Sequence, residues 1–567
     1  MTGRGAANLL ATVALLCLVV LVAGVIWASD RGLELTDEAY YLLSAIHPDQ
    51  VTLYISAQHW VLAPLWRLTE SLQGFRLTGA AILIGSASVL ALGATRVFMQ
   101  VTTGQEARPL DLWMTMAAGS IGALLYVATI APSPSYNLLA SSGGYAGLGF
   151  ALLSLGRPRW KLALGLGGLG GAALAICFVG KPSAGVSVGL TILAVVMALE
   201  RGPRKWAICA VGLAGALGTV ALLVAVQPRH PSVMDSLRGG LDLFRMVQTE
   251  PTVDRLIRYG ATMATSLAKS LVAFGPIVVL VILSWRYPRR WLFALTLLVW
   301  ILNLYVESNY LSGARALVRM AEAIYVLIFV IAALGLGGTA LPTKAKLLLG
   351  ALFCLPFAAT IGTGNSLFTQ VIVALAPWTV GVALFALASD PKSQTIFLQR
   401  GATVLLLLLL TVQITTSYLR DPYHLAEPLI RQTETVNLPP LGEIKVDPQT
   451  RLFLDQIAEA KQTCSLVPGG AYFGLFNLPG LALALGQVPP VTPWLNNSDQ
   501  AATVLRRWSP GEYHRIVVAL SAEAQANPVL LPPDLQTAVN GYAFCGRATV
   551  PYDSQVIEIW ASPNTAG

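Results

Sequence analysis

The strongest constraint on this chain is a recurrence of apolar stretches, each close to twenty residues long. The first runs from Leu9 to Ala28 without a charge, and others fall near 78–98, 112–131, 137–155, 162–179, 184–199, 206–226, 263–284, 291–306, 318–337, 346–361, 368–388 and 402–418. A hydrocarbon core about 30 Å thick takes roughly 20 helical residues to cross. Inside it every backbone polar group must be paired within its own segment. The expected fold is therefore a polytopic α-helical membrane protein with about thirteen spans. Composition agrees: 55% of residues are hydrophobic and 12% charged, with a mean hydropathy of +0.64. Soluble domains carry roughly 25% charged residues, so this chain cannot clothe a water-facing surface along its length. The first run has the length of a signal sequence, but its flank, Trp27-Ala28-Ser29-Asp30, is a poor small-residue cleavage site. It reads as a retained span.

The net charge of +8 does not point to nucleic acid, because the cations gather in short breaks between apolar runs. One set of breaks holds Arg96 and Arg108, then Arg157, Arg159 and Lys161, then Arg201, Arg204 and Lys205, then Arg286, Arg289 and Arg290, Lys344 and Lys346, and Lys392 and Arg400. The alternate breaks are nearly bare. Positive charge marks the cytoplasmic side, so the N-terminus is expected inside. An odd number of spans then puts the C-terminus outside, in the inner (plasma) membrane of a cell. Residues 29–77 and 227–262 become large outer loops. The chain divides into a transmembrane part, 1–419, and an extracytoplasmic α/β domain, 420–567. In that domain Ile516–Leu520 and Val556–Trp560 read as strands, and 449–462 and 498–508 as helices. Cys464 and Cys545, the two cysteines of this hydrophilic part, are expected to form a disulfide in an oxidising compartment. The other four lie in apolar runs, and no cysteine has metal-ligand spacing.

The most informative stretch is Leu35-Thr36-Asp37-Glu38-Ala39-Tyr40-Tyr41-Leu42-Leu43. Thr36 is a good N-cap, and acidic residues in a first helical turn meet the positive end of the helix dipole. The helix is amphipathic and suited to the membrane interface. Two carboxylates thus stand a few residues beyond a span, where a lipid-linked and an aqueous substrate meet. The plain alternative is that they only satisfy a helix terminus.

An Asp-Glu-x-Tyr-Tyr pattern in the first outer loop of a many-spanning protein resembles the GT-C glycosyltransferases. The branch it is most similar to contains protein O-mannosyltransferases and lipid A aminoarabinose transferases. Gln58-His59-Trp60 with Pro64-Leu65-Trp66, Phe75-Arg76-Leu77, Pro134-Ser135-Tyr136-Asn137 and Gly180-Lys181-Pro182-Ser183 also resemble segments of that family, over roughly residues 1–420. The resemblance implies a polyprenyl-phosphate sugar donor, a cell-envelope acceptor and an essential acid in the first outer loop. Asp37 is then the base that takes the acceptor proton in an inverting displacement, and Glu38 orients the loop or supports it. The leaving polyprenyl phosphate calls for cations; Lys181, Arg315 and Arg319 are candidates. Tyr41, His59, Tyr136 and Asn137 are candidate substrate contacts, although His59 beside Trp60 also reads as interfacial packing. Trp494 could stack on a sugar or pack in a core. Ser135, Tyr136 and Asn137 stand where many relatives place a further carboxylate, so a two-carboxylate metal site is not supplied, and a divalent metal stays open. The rival readings are a transporter or flippase, which needs ionisable residues in mid-span and broken helices, and a non-catalytic scaffold for envelope assembly.

Overall fold

The computed structural model describes residues 3–226, 232–247, 250–287, 324–333, 341–388, 395–506, 516–527 and 533–563, apart from positions 52, 131, 158 and 363, with a few further positions between 289 and 322. Of the expected spans, 291–306 and the start of 318–337 lie largely outside the described residues.

Eight described helices are long and apolar enough to cross a membrane, or ten if each of two bent pairs counts as one span. α1 (Gly3–Ala28), α4 (Leu72–Thr103), α5 (Pro109–Leu124), α7 (Trp160–Gly180), α8 (Pro182–Leu199) and α9 (Arg204–Val226) form the first part of the bundle, with α6 (Tyr136–Ser154) buried among them. α2 (Asp37–Ile46) and α3 (His59–Thr69) are short helices between α1 and α4. Small residues bring the spans together, as expected where lipid offers no hydrophobic drive between helices. A Cβ on Gly93 or Gly149 would run into the backbone of the facing helix. The lipid-facing sides stay apolar: Leu16, Val19, Leu213 and Leu217 are each more than 60% exposed.

Two of the expected spans are broken. α11 (Thr252–Ala273) meets α12 (Gly275–Arg286) at 67°, and the turns Leu367–Ala374 meet Ala376–Ala388 at 68°. The segment read as the outer loop 227–262 is also more regular than expected. It holds α10 (Val233–Val247) and the first half of α11. Ser236, Gly240 and Leu243 form the buried side of α10, a spacing of one helical face.

Helices α13 (Ile324–Ala333), α14 (Thr343–Thr360), α15 (Ala376–Ala388) and α16 (Thr395–Arg420) complete the bundle. Beyond α16 a hairpin, β1 (Glu434–Leu438) and β2 (Gly442–Val446), precedes α17 (Pro448–Thr463). A four-stranded sheet follows in the order β3-β4-β6-β5: β3 (Ala471–Leu475), β4 (Ile516–Leu520), β5 (Ala543–Thr549) and β6 (Val556–Ala561). β3 and β4 run parallel and the remaining pairs antiparallel. Cys464, at the end of α17, is disulfide-bonded to Cys545 of β5, with Cα atoms 5.3 Å apart.

This C-terminal part is built onto the loop after α1. Lys445 N–H donates to the Asp30 carbonyl and Gly32 N–H to the Lys445 carbonyl, each at 2.7 Å. The Lys445 ammonium adds an ion pair with Asp30 at 2.6 Å. Leu53, and Leu243 of α10, pack in one core with Phe473, Val518 and Leu535. Gly480, in the buried helix α18 (Pro479–Leu485), donates its N–H to the Leu35 carbonyl at 2.8 Å.

Candidate active site

The stretch Glu34-Leu35-Thr36-Asp37-Glu38 turns back on itself before α2, and its three acids go to three different environments. Thr36 does not cap α2 with its side chain, which corrects the reading from sequence. Glu34 does that work: its carboxylate accepts from the N–H groups of Thr36 at 2.7 Å and Glu38 at 2.5 Å, and from the Thr36 hydroxyl. A longer acidic side chain two residues upstream satisfies the free N–H groups of the first turn, leaving Asp37 unspent.

Glu38 is completely buried. Its carboxylate is held by Arg76 at 2.7 and 2.5 Å and by the Ser133 hydroxyl at 2.5 Å. Arg76 is buried too, and its other donors reach the carbonyls of Arg31 at 2.7 Å and Gly32 at 2.9 Å. Every strong donor of this guanidinium is turned inward, so the pair ties α2, α4 and the loop before α2 into one body.

Asp37 is the partly accessible acid of the three. Its Oδ2 accepts a hydrogen bond from the Tyr423 hydroxyl at 2.6 Å. Tyr423 follows α16, 386 positions later in the chain. Its ring stacks on His424 at 3.9 Å, which in turn lies over Tyr552 at 5.8 Å. His424 Nδ1 is 2.9 Å from the Thr36 hydroxyl and 3.6 Å from Glu34. Burial pushes the Glu34 carboxyl up, and the nearby Asp37 charge adds to this against the His424 bond. Burial alone would lower the His424 imidazole, but bonding to Glu34 and the charges of Glu34 and Asp37 outweigh it, so the ring is raised. Burial, followed by the Asp37 charge, also raises the Tyr423 phenol. A cavity of about 460 Å³ of empty space, partly open to solvent, adjoins Tyr423 and is lined by Arg31, Glu34, Arg76, Pro132 and Leu425.

Aromatic rings continue the site on its other flank. Tyr41 meets Tyr136 edge-on at 5.8 Å, and Tyr40 meets Tyr54 at 5.7 Å and Trp494 at 5.4 Å. The backbone N–H of Tyr136 donates to Gln58 at 2.9 Å, and buried Asn137 sits beside it. Tyr41, Tyr136 and Asp37 are thus brought together. His59 turns away: it is buried, tilts against Tyr54 at 5.3 Å and lies 3.4 Å from the Ser236 hydroxyl of α10. Lys181 stands at the same end of the bundle, but its ammonium donates to the Thr360 carbonyl at 2.9 Å, and none of its described partners belongs to the Asp37 cluster. Arg315 and Arg319 lie outside the described residues. No group of three or more His, Cys, Asp or Glu that could hold a metal occurs among the described residues.

Glu34, Tyr423 and His424 escaped the sequence reading. The available signal was position: Pro422-Tyr423-His424 puts titratable groups just past the last apolar run, at the end of the bundle where Asp37 leaves α1.

No family model and no curated protein sequence matches the chain. Among solved structures it is similar to ArnT from Cupriavidus metallidurans bound to undecaprenyl phosphate, with 13% identity and a TM-score of 0.38 over 98% of each chain. It is similar also to the apo state of that protein, with 15% identity and a TM-score of 0.39, over 100% of this chain and 99% of the other.

Proposed function

We propose that this multi-pass membrane protein is a glycosyltransferase, moving a sugar from a polyprenyl-phosphate donor to an extracytoplasmic envelope acceptor with inversion at the anomeric carbon. The observation that carries the reading is the state of Asp37. It is the accessible acid of a buried triplet, oriented by one tyrosine and bordered by others, where the spans end. A carboxylate so placed can take the acceptor proton as the hydroxyl attacks, the assignment that general base catalysis asks for. Glu38 is a positioning residue, since its own oxygens are filled by Arg76 and Ser133. Arg31 and Arg76, the cations lining the adjoining cavity, are engaged with protein carbonyls. Lys181 is engaged with a carbonyl in the same way, so it, Arg315 and Arg319 stand as candidates for the leaving phosphate on the sequence resemblance alone. The basic breaks gather at the opposite end of the bundle, which supports a cytoplasmic N-terminus and an extracytoplasmic Asp37.

Asp37→Asn keeps the shape and the Tyr423 contact but removes the base. Transfer of label from radiolabelled polyprenyl-phosphate sugars is expected to fall by roughly 10²–10⁴, with insertion and melting unchanged. Undiminished transfer would sink the reading. The two bent helix pairs favour transport as the second reading, since broken spans are a mark of transporters. Movement of a lipid-linked solute by the purified protein, equal in wild type and Asp37→Asn, would select it.

A further inference from the structure

The end of the bundle away from Asp37 carries a cluster that the transfer reaction does not use. Around the starts of α7 and α9 the chain places Arg157, Arg159, Lys161, Arg201, Arg204 and Lys205 against a single acid, Glu200. Glu200 is committed, accepting from the Gly156 N–H at 3.0 Å. Arg204 is fixed with its guanidinium over the Trp160 ring, 5.4 Å from the centroid. Its Nε and Nη2 are enclosed and make no hydrogen bond, leaving Nη1 as the nitrogen a headgroup can reach, and among the described residues it has no acidic partner. A fixed guanidinium beside hydrocarbon, lacking a counter-ion, attracts an anion far more strongly than one in open water. Trp160 and Trp206 flank it, 45% and 59% exposed, as aromatic residues do at a membrane–water boundary.

A second, independent feature lies directly above. One turn along α9, Ile208 packs on Gly167 of α7. From there an apolar crevice of about 670 Å³ of empty space runs between α7, α8 and α9, lined by Gly170, Gly189, Ile192, Val196, Ile208 and Ala216. The glycines let the helices approach closely, since a Cβ on Gly170 would meet the Gly147 carbonyl at 3.2 Å and one on Gly189 the Leu174 side chain at 3.2 Å; beside these contacts the crevice faces the lipid between exposed Leu190, Leu193 and Leu213. An acyl chain seated there gains the dispersion contacts that an unfilled crevice forfeits.

We infer that α7, α8 and α9 form a binding site for an anionic phospholipid of the leaflet opposite Asp37, with its acyl chain in the crevice and its phosphate on Arg204. Charge and shape select this occupant: a zwitterionic lipid would fill the crevice without answering the six cations. The full-length protein in mild detergent is offered equal amounts of palmitoyl-oleoyl phosphatidylglycerol and the phosphatidylcholine with the same chains. Intact complexes are then weighed by native mass spectrometry. Wild type retains phosphatidylglycerol preferentially. Arg204→Gln lowers that preference about fivefold, the effect of one basic group near a headgroup, and Arg204→Lys restores it. Ala216→Phe fills the crevice and lowers retention of both lipids without changing their ratio. Equal retention by wild type, an unchanged ratio in Arg204→Gln, or displacement of the lipid by tail-less glycerol phosphate would overturn the site.

Discussion

Three acids lie within five residues, and their partners give each a separate place. Glu34 holds the helix start and Glu38 holds Arg76, and on the proposed reading Asp37 is left to react. The adjacent pair was legible because two charges beside an apolar run are costly unless they are used. The resemblance already gave the base to Asp37 and a supporting part to Glu38; the partner that fills Glu38 was not legible, since it is Arg76, 38 positions away. Tyr423 gives a direct test. Tyr423→Phe removes one hydrogen bond to a charged group, worth about 1.5–3 kcal/mol. The expected result is a fall in kcat of at least about tenfold with little change in donor KM, read from initial rates of transfer. His424 sets a pH dependence. Its pKa is raised in the folded protein, so the stabilisation from the Glu34 contact is complete below about 6.5 and is lost as pH rises through the higher folded value. Glu34, also raised, pushes in the same direction. The melting temperature should therefore decline as pH rises above about 6.5, and His424→Gln should flatten the decline. Because His424 is half-exposed, the effect is under about 1 kcal/mol.

Among the elements, the long apolar helices and the strands of the C-terminal sheet follow from period and length, and most appear where the sequence places them. The departures have a common cause. Bends at Phe274 and Leu375, and the helix α10 in a supposed loop, answer to tertiary neighbours that a linear pattern does not contain. α10 is helical where it is because Leu243 enters a core supplied by Leu53 and Phe473. A similar dependence exists at α18. A Cβ on Gly480 would meet the Leu35 Cα at 2.6 Å, so any side chain there must push the segment that leads into Asp37. Gly480→Val is expected to cut kcat by roughly 10²-fold, the cost of misplacing a reacting group by about 1 Å. The measurement is transfer rate beside a melting curve; a large loss of rate with a small change in melting is the outcome that fits.

In the whole molecule the membrane bundle and the C-terminal part are joined around the loop that carries Asp37 rather than at a linker. Disulfide loss should reach the site through this joint. A Cys464→Ser, Cys545→Ser double variant is expected to lose about 2–4 kcal/mol of stability in the C-terminal part, visible as an earlier first transition in a thermal scan, with transfer lost at that same temperature. The pairing of Lys445 with Asp30, and of Tyr423 with Asp37, also sets an order in time. A ribosome finishes the acid long before it makes the residues that aim it, and those residues must arrive on the same side of the bilayer. A chain halted before residue 420, or one whose tail stays behind, displays Asp37 without its tyrosine, its strand or its helix. On the proposed reading, biosynthesis thus withholds the activity until the chain has run past that point.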